Sequence, residues 1–388
     1  MKNVTTTTAL GQVVDLVMGQ APSSKDCNFD GKGTPFVKVG EFGEFRPVIR
    51  EWTTNPLRMA CRTDILLCVV GTCGKINLGE ECAIGRSVAA IRPHPAKLDQ
   101  FYLYYFMKTL VERLRSGSVG AAQTVISKNM VETVPIPLPP LLEQRRIVGI
   151  LDEAFKGIAV AKANAGRNLQ NARALFDSHL QSVFARRGEG WVEEPLGEVC
   201  SFVRGPFGGS LKKSIFVADG YAVYEQKHAI YDQFDDIRYF VDETKFREMK
   251  RFELLPNDLI MSCSGTMGRV AIVPKGIKRG IINQALLKLT PTTKISKRFL
   301  KFWMQSEAFQ DALKEYSGGA AIQNVASVKV LKGIRIPLPS LEEQKRVVES
   351  IKSVSAETQN LESIYERKLA ALEALKKSLL HQAFTGEL

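Results

Sequence analysis

Glycines followed by a cation are the first residues in this 388-residue chain whose arrangement could do chemistry. Gly71-Thr72-Cys73-Gly74-Lys75 and Gly265-Thr266-Met267-Gly268-Arg269 each close an apolar, strand-like run. Glycine permits backbone angles barred to other residues, and the cation can reach a phosphate or a base edge. A plain hairpin turn would use the same residues. Lys212 and Lys213 follow the loop segment GPFGGSL that starts at Gly205, a setting that suits phosphate contact or simple solvation. Arg46 and Arg50 lie near Phe45 and Trp52, and Lys245, Arg247, Lys250 and Arg251 surround Phe246 and Phe252. Base-edge and phosphate contacts are expected among these clusters, with Lys128 and Lys227 as further candidates, although solvated charge is the default for any one of them. Gln123 and Gln323 sit in small-residue loops. Glutamine can pair with adenine in the major groove, but its presence in both halves fits a shared structural job better.

Catalytic alternatives lack their residues. The chain has no [DNS]-P-P-[YF] motif of an amino-methyltransferase, no Pro-Asp start of a nuclease carboxylate cluster and no H-E-x-x-H. GTCGKI lacks the upstream Gly and the following Ser or Thr of a phosphate-binding P-loop. The seven cysteines contain no C-x-x-C pair, so reduced cytosolic thiols are expected rather than a zinc site or a disulfide framework. His179 and His381 are expected to be packing or surface residues. The absence of a long apolar run and of a secretory pattern leads us to expect a cytoplasmic protein without a membrane span.

The distribution of the net +12 charge is informative. Residues 1–140 hold 16 Lys and Arg against 12 Asp and Glu, and residues 196–340 hold 22 against 14. The intervening 141–195 and the final 341–388 are almost neutral, at 8 against 7 and 7 against 8. Two basic blocks fit a polyanion touched in two places.

An internal repeat supplies the elements that must position these residues. QTVISKNMVETVPIPLPPLLEQRRIV (123–148) returns as QNVASVKVLKGIRIPLPSLEEQKRVV (323–348), an offset of 200 without a gap. LGQVVDLVMG from Leu10 answers LGEVCSFVRG from Leu196, and DILLCVVGTCGKI from Asp64 answers DLIMSCSGTMGRV from Asp258. Each half is a basic domain, a Pro-rich elbow and a long segment. Steps of four and three through Ile147, Leu151, Ala154, Ile158, Ala161, Ala165, Asn168, Ala172 and Leu175 predict a coiled-coil helix. Val347, Ile351, Val354, Thr358, Leu361, Tyr365, Lys368, Leu372, Leu375 and Leu379 predict a second helix in the same register. Small residues on the first can face large ones on the second. Pro137 and Pro139 hold the elbow extended, and Ser340 with Glu343 forms a capping-box pattern.

The doubled elbow, IPLPPLLEQRRIV (136–148) and IPLPSLEEQKRVV (336–348), resembles the signature of specificity subunits of Type I restriction-modification systems. The SGTMG-type turns, GPFGGSLKK and the terminal HQAFTGEL are similar to the same family, so the resemblance covers essentially the whole chain. It implies two target-recognition domains of mixed α/β (α+β) class in a pseudo-twofold arrangement, joined by two long antiparallel coiled-coil helices. The expected boundaries are 1–140 and 188–340 for the recognition domains, with 141–187 and 341–388 for the spacer helices. Leu151, Ile158, Leu175, Ile351, Leu361, Tyr365, Leu372 and Leu379 are the expected helix interface. The resemblance further implies that each domain reads one half of a bipartite site in double-stranded DNA. The coiled coil would set the spacing and dock modification subunits, two by the pseudo-symmetry. S-adenosylmethionine, ATP and Mg2+ would belong to modification and restriction subunits, with no cofactor or metal in this chain. GQAPSS stands in the first half where the second has GPFGGSLKK, so the two half-sites are expected to differ. A stand-alone two-headed DNA-binding regulator and a non-DNA coiled-coil scaffold are the rival readings.

Overall fold

A computed structural model describes residues 6–71, 73–116, 125–186, 188–207, 209–315 and 327–388. The chain divides into two compact units, Met1–Gly166 with Arg367–Leu388, and Arg167–Glu366.

The first unit is built on an antiparallel sheet of β1 (Val14–Met18), β2 (Ile65–Cys68), β3 (Ile76–Leu78) and β4 (Val88–Pro93), in spatial order β1-β4-β2-β3. The continuous apolar run of β2 is explained by burial on both faces. Ile65 and Leu67 point into the core formed with Tyr102, Phe106 and Leu110 of helix α1 (Gln100–Ser116). Leu66 points the other way, against Val37, Ala60 and Ile84 of a small second sheet.

The second unit repeats the plan with β5 (Cys200–Arg204), β6 (Leu259–Ser262), β7 (Val270–Ile272) and β8 (Leu286–Pro291), ordered β5-β8-β6-β7. Leu259 and Met261 join a core with Phe299 and Trp303 of helix α2 (Lys297–Gln305), while Ile260 faces the second layer with Ala222 and Ile282.

Both elbows are strands. Pro135–Pro137 pairs with Thr7–Ala9, and Arg335–Leu338 with Val192–Pro195. Each then launches a 45-residue helix, Leu141–Ala185 and Leu341–Thr385, about 68 Å long at 1.5 Å per residue. Within the first unit, the start of the first long helix runs antiparallel to the end of the second: Arg146 reaches the Leu388 carbonyl at 2.8 Å and Lys162 pairs with Glu373. Within the second unit, Asn168 donates to Tyr365 at 3.2 Å and Arg173 lies 3.0 Å from Glu362.

Leu151, Ile158 and Ile351 are buried, and Leu361, Tyr365, Leu372 and Leu379 are half-buried. Leu175 corrects the expected interface: it is 54% exposed, and Phe176 packs into the core in its place. Lys368 and Leu375 likewise face outward while Leu369 is half-buried. A helix of 3.6 residues per turn drifts about 20° per heptad from a strict 3.5 repeat, so the buried stripe moves on by one residue late in each helix.

Candidate nucleic-acid interface

The two glycine–cation segments are hairpin loops at matching places. In the first, Gly74 N–H donates to the Cys68 carbonyl and Cys68 N–H to the Lys75 carbonyl, at 2.9 and 2.8 Å. Ser262, Gly268 and Arg269 repeat this pattern at 2.9 Å. Gly71, Gly74, Gly265 and Gly268 all have positive φ, which accounts for glycine there. In the second unit Ser262 Oγ adds two bonds across the loop, accepting from Arg269 N–H and donating to the Thr266 carbonyl. Each loop ends on an exposed cation, Lys75 or Arg269. Arg269 also lines a cleft of about 580 Å³ with Lys301, Gln305, Arg173, Asp177 and Glu362.

A second basic feature grows from the end of β5. Gly205 passes so close to the chain that a Cβ there would lie 1.8 Å from the Asn283 carbonyl; its N–H bonds Leu286 O at 2.9 Å. Gly19, at the matching point after β1, is held in the same way against Gly85 and Val88. Beyond Gly205 the chain presents Phe207, which is 88% exposed. A cleft of about 340 Å³ brings Phe207 together with Arg204, Arg251, Phe252 and Ser210. Lys212 and Lys213 follow, both exposed. Two guanidinium groups flanking an exposed ring can hold phosphate while the ring meets a base face. Arg251 was legible in the sequence; Arg204 ends a strand and becomes a neighbour only through the fold.

The remaining predicted residues divide by what they touch. Arg50, Lys75, Lys212, Lys213, Arg251 and Arg269 are exposed and make no ion pair among the described residues. Arg46 instead bonds the Gly79 carbonyl and lies 3.9 Å from Glu80, bracing a turn. Lys128 pairs with Glu132 at 3.4 Å, Lys227 with Asp236 at 2.7 Å and Arg247 with Glu243 at 2.6 Å. Lys250 and Arg279 both reach the nearly buried Glu253, and both lie over Phe246, which stacks on Tyr221 with centroids 4.0 Å apart. Burial pushes the Glu253 carboxyl up, but hydrogen bonds from Lys250 and Arg279 outweigh it and hold the group below the usual range. The basic–aromatic spacing at 245–252 therefore builds a structural knot, with Arg251 turned out of it. Gln123 and Gln323 lie outside the described residues.

Burial pushes the thiols of Cys82, Cys200 and Cys263 up to about 12, so they hold their protons at neutral pH. Among the described residues no group of His, Cys, Asp or Glu could hold a metal ion, and no helix is long and apolar enough to cross a membrane.

Sequence reasoning passed over two glutamines that tie each recognition unit to its long helix. Gln144 is fully buried; its Nε2 donates to the carbonyls of Lys97 and Pro139 at 2.8 Å, and its Oε1 accepts from Asp99 N–H at 2.8 Å. Gln344 repeats this with Lys294, Pro339 and Ser296 at 2.7 to 3.0 Å. The E-Q pair of each elbow was the available signal. Only a side-chain amide offers two donors and an acceptor at this size, which the three backbone groups require.

Comparison with known proteins agrees with the doubled architecture. The model for the "Type I restriction modification DNA specificity domain" matches residues 2–165 and again 188–370. The chain is 26% identical over 381 residues to the Type I restriction enzyme MjaVIII specificity subunit of Methanocaldococcus jannaschii, covering 92% of this chain and 84% of the relative. It is 24% identical over 349 residues to the EcoBI specificity subunit of Escherichia coli, covering 82% and 73%. Among solved structures, a chain from work on complex assembly and conformational transition of the type I R-M system has a TM-score of 0.82 at 20% identity, covering 99% and 98%. The HsdS subunit from Thermoanaerobacter tengcongensis has a TM-score of 0.67 at 20% identity, covering 99% and 97%.

Proposed function

Starting from the fact that this chain belongs to the Type I restriction modification DNA specificity family, with two copies of the domain, we propose that each unit reads one half of a bipartite duplex target. Membership makes the chain a recognition subunit of a restriction-modification system, not its catalyst, and a partner of DNA and of the other subunits. The proposal adds that the paired long helices set the unspecified spacing and dock two modification subunits. Those subunits carry S-adenosylmethionine, and ATP and Mg2+ belong to the restriction subunits. The complex works in the cytoplasm, where its DNA is.

One observation carries this reading: two units share a strand order, a glycine–cation hairpin and a glutamine-pinned elbow, yet differ in the loop after β1 and β5. A constant scaffold with a divergent basic loop is what two different half-sites require. Phosphate contacts would position each unit, and loop side chains would discriminate bases.

The test is single-molecule methylome sequencing of a host carrying the gene and its modification partner, with and without the gene. A gene-dependent methyladenine mark in a split, asymmetric motif is the expected result. With the partner expressed and bound, the absence of any such mark sinks the proposal. Tight specific binding by the chain without modification subunits would instead favour a stand-alone regulator.

A further inference from the structure

Matching positions on the two long helices carry opposite charges. In the first unit Lys162 of the first helix pairs with Glu373 of the second. In the second unit Arg173 of the first helix lies 3.0 Å from Glu362 and 3.2 Å from Glu366 of the second. With the repeat offset of 200, 162 and 173 are the same places as 362 and 373. The same two places therefore meet in each unit, and the first helix always supplies the cation.

Side-chain size is divided in the same way. Ala154, Ala161, Ala165 and Ala172 occupy the places that Val354, Leu361, Tyr365 and Leu372 occupy in the second helix. Ala165 and Ala172 are almost wholly covered, at 1% and 4% exposed, while Leu361, Tyr365 and Leu372 are half-buried.

Consider two copies of the chain joined through like helices in the same register. First against first would set Lys162 opposite Arg173 twice, with alanine facing alanine across unfilled space. Second against second would set Glu362 and Glu366 opposite Glu373 twice, with large residues colliding. The seven-residue register by itself cannot make this distinction, because both helices share it; side-chain size and charge can. We propose that the charge division is a partner code: it commits the first helix to a second helix and disfavours a second copy of the chain bound through like helices. The proposal does not depend on what the recognition units bind.

Three full-length variants test it. K162E/R173E makes the paired places acidic on both helices, E362K/E366K/E373K makes them basic on both, and the chain with all five changes restores opposite charges with the signs exchanged. The acidic and basic variants are expected to melt below the wild type, and the five-fold variant close to it. After the acidic and basic chains are unfolded and refolded together at low salt, native mass spectrometry should show a 1:1 heteromer. Exposed ion pairs are individually weak, so its excess over either homomer is expected to be about ten-fold. That excess should fade at 1 M salt, where charges are screened beyond about 3 Å. A five-fold variant no more stable than the acidic one overturns the proposal. So does lowered stability without any 1:1 excess, since the charges would then stabilise pairing without choosing its partner.

Discussion

Replacing Gln144 by leucine removes one buried side chain and leaves three backbone groups without partners: the carbonyls of Lys97 and Pro139 and the N–H of Asp99. Each buried group left unpaired costs about 1–3 kcal/mol. The added apolar burial of leucine returns about 1.5–3 kcal/mol. At the middle of these ranges, three unpaired groups cost about 6 kcal/mol and leucine returns about 2, so the expected net loss is about 4 kcal/mol, borne by the junction between α1 and the first long helix. Because two units need not unfold as one, a single unfolding free energy is the wrong readout. Hydrogen exchange of the intact chain, read on peptides covering 97–103 and 138–148, reports the junction directly. Exchange there should quicken by about three orders of magnitude in Gln144→Leu, at about 1.4 kcal/mol per factor of ten, while peptides around Ser296 keep their protection. Gln344→Leu should give the mirror result through Ser296, Lys294 and Pro339. Gln144→Glu keeps the size and the acceptor but loses both donors at neutral pH, so it should also open the junction and recover partly in acid. Unchanged protection at 97–103 in Gln144→Leu would refute the claim that this amide pins the helix.

Two further outcomes follow from the geometry. Arg204→Ala and Arg251→Ala, on the cleft that holds Phe207, should each flatten the salt dependence of DNA affinity by about one unit of slope when binding is titrated with the assembled complex; unchanged slopes in both would remove this cleft from the interface. Burial, then the nearby Lys376, hold the Lys108 amine down to about 8, against the pull of Glu44. The folded chain therefore sheds this proton near pH 8 and the unfolded chain only near pH ~10.4, so unfolding takes up a proton between them and stability rises with pH across that window. Lys108→Met should lose that rise and melt above the wild type at pH 7; identical pH profiles from 7 to 9.5 would contradict the assignment.

The legible parts of the fold were those in which a local rule and the tertiary demand agree. The doubled run DILLCVV and DLIMSCS reads as a strand, and it lies in a sheet covered on both faces, with Leu66 and Ile260 turned away from the α1 and α2 cores. The elbow prolines predict extended backbone, and both elbows are strands. Leu175 failed because a strict seven-residue count ignores the slow rotation of a real helix, a difference that grows with distance from the elbow. The cations separated less cleanly. Lys250 and Arg251 are neighbours in sequence with identical local signals, yet one is tied to Glu253 and the other lines the cleft with Phe207.

Covalent order alone determined the doubling of the chain, the starts of its long helices, the family and the uneven charge, because repeats, prolines and capping residues act over a few neighbours. Which cation is free, which glutamine is buried and where the covered stripe of each long helix moves on by a residue were decided only by tertiary structure. Arg204 and Arg251 stand 47 positions apart, and Lys162 and Glu373 stand 211 apart. Charge and hydrogen bonding act through space, so their meaning is set when packing brings such residues within a few ångströms.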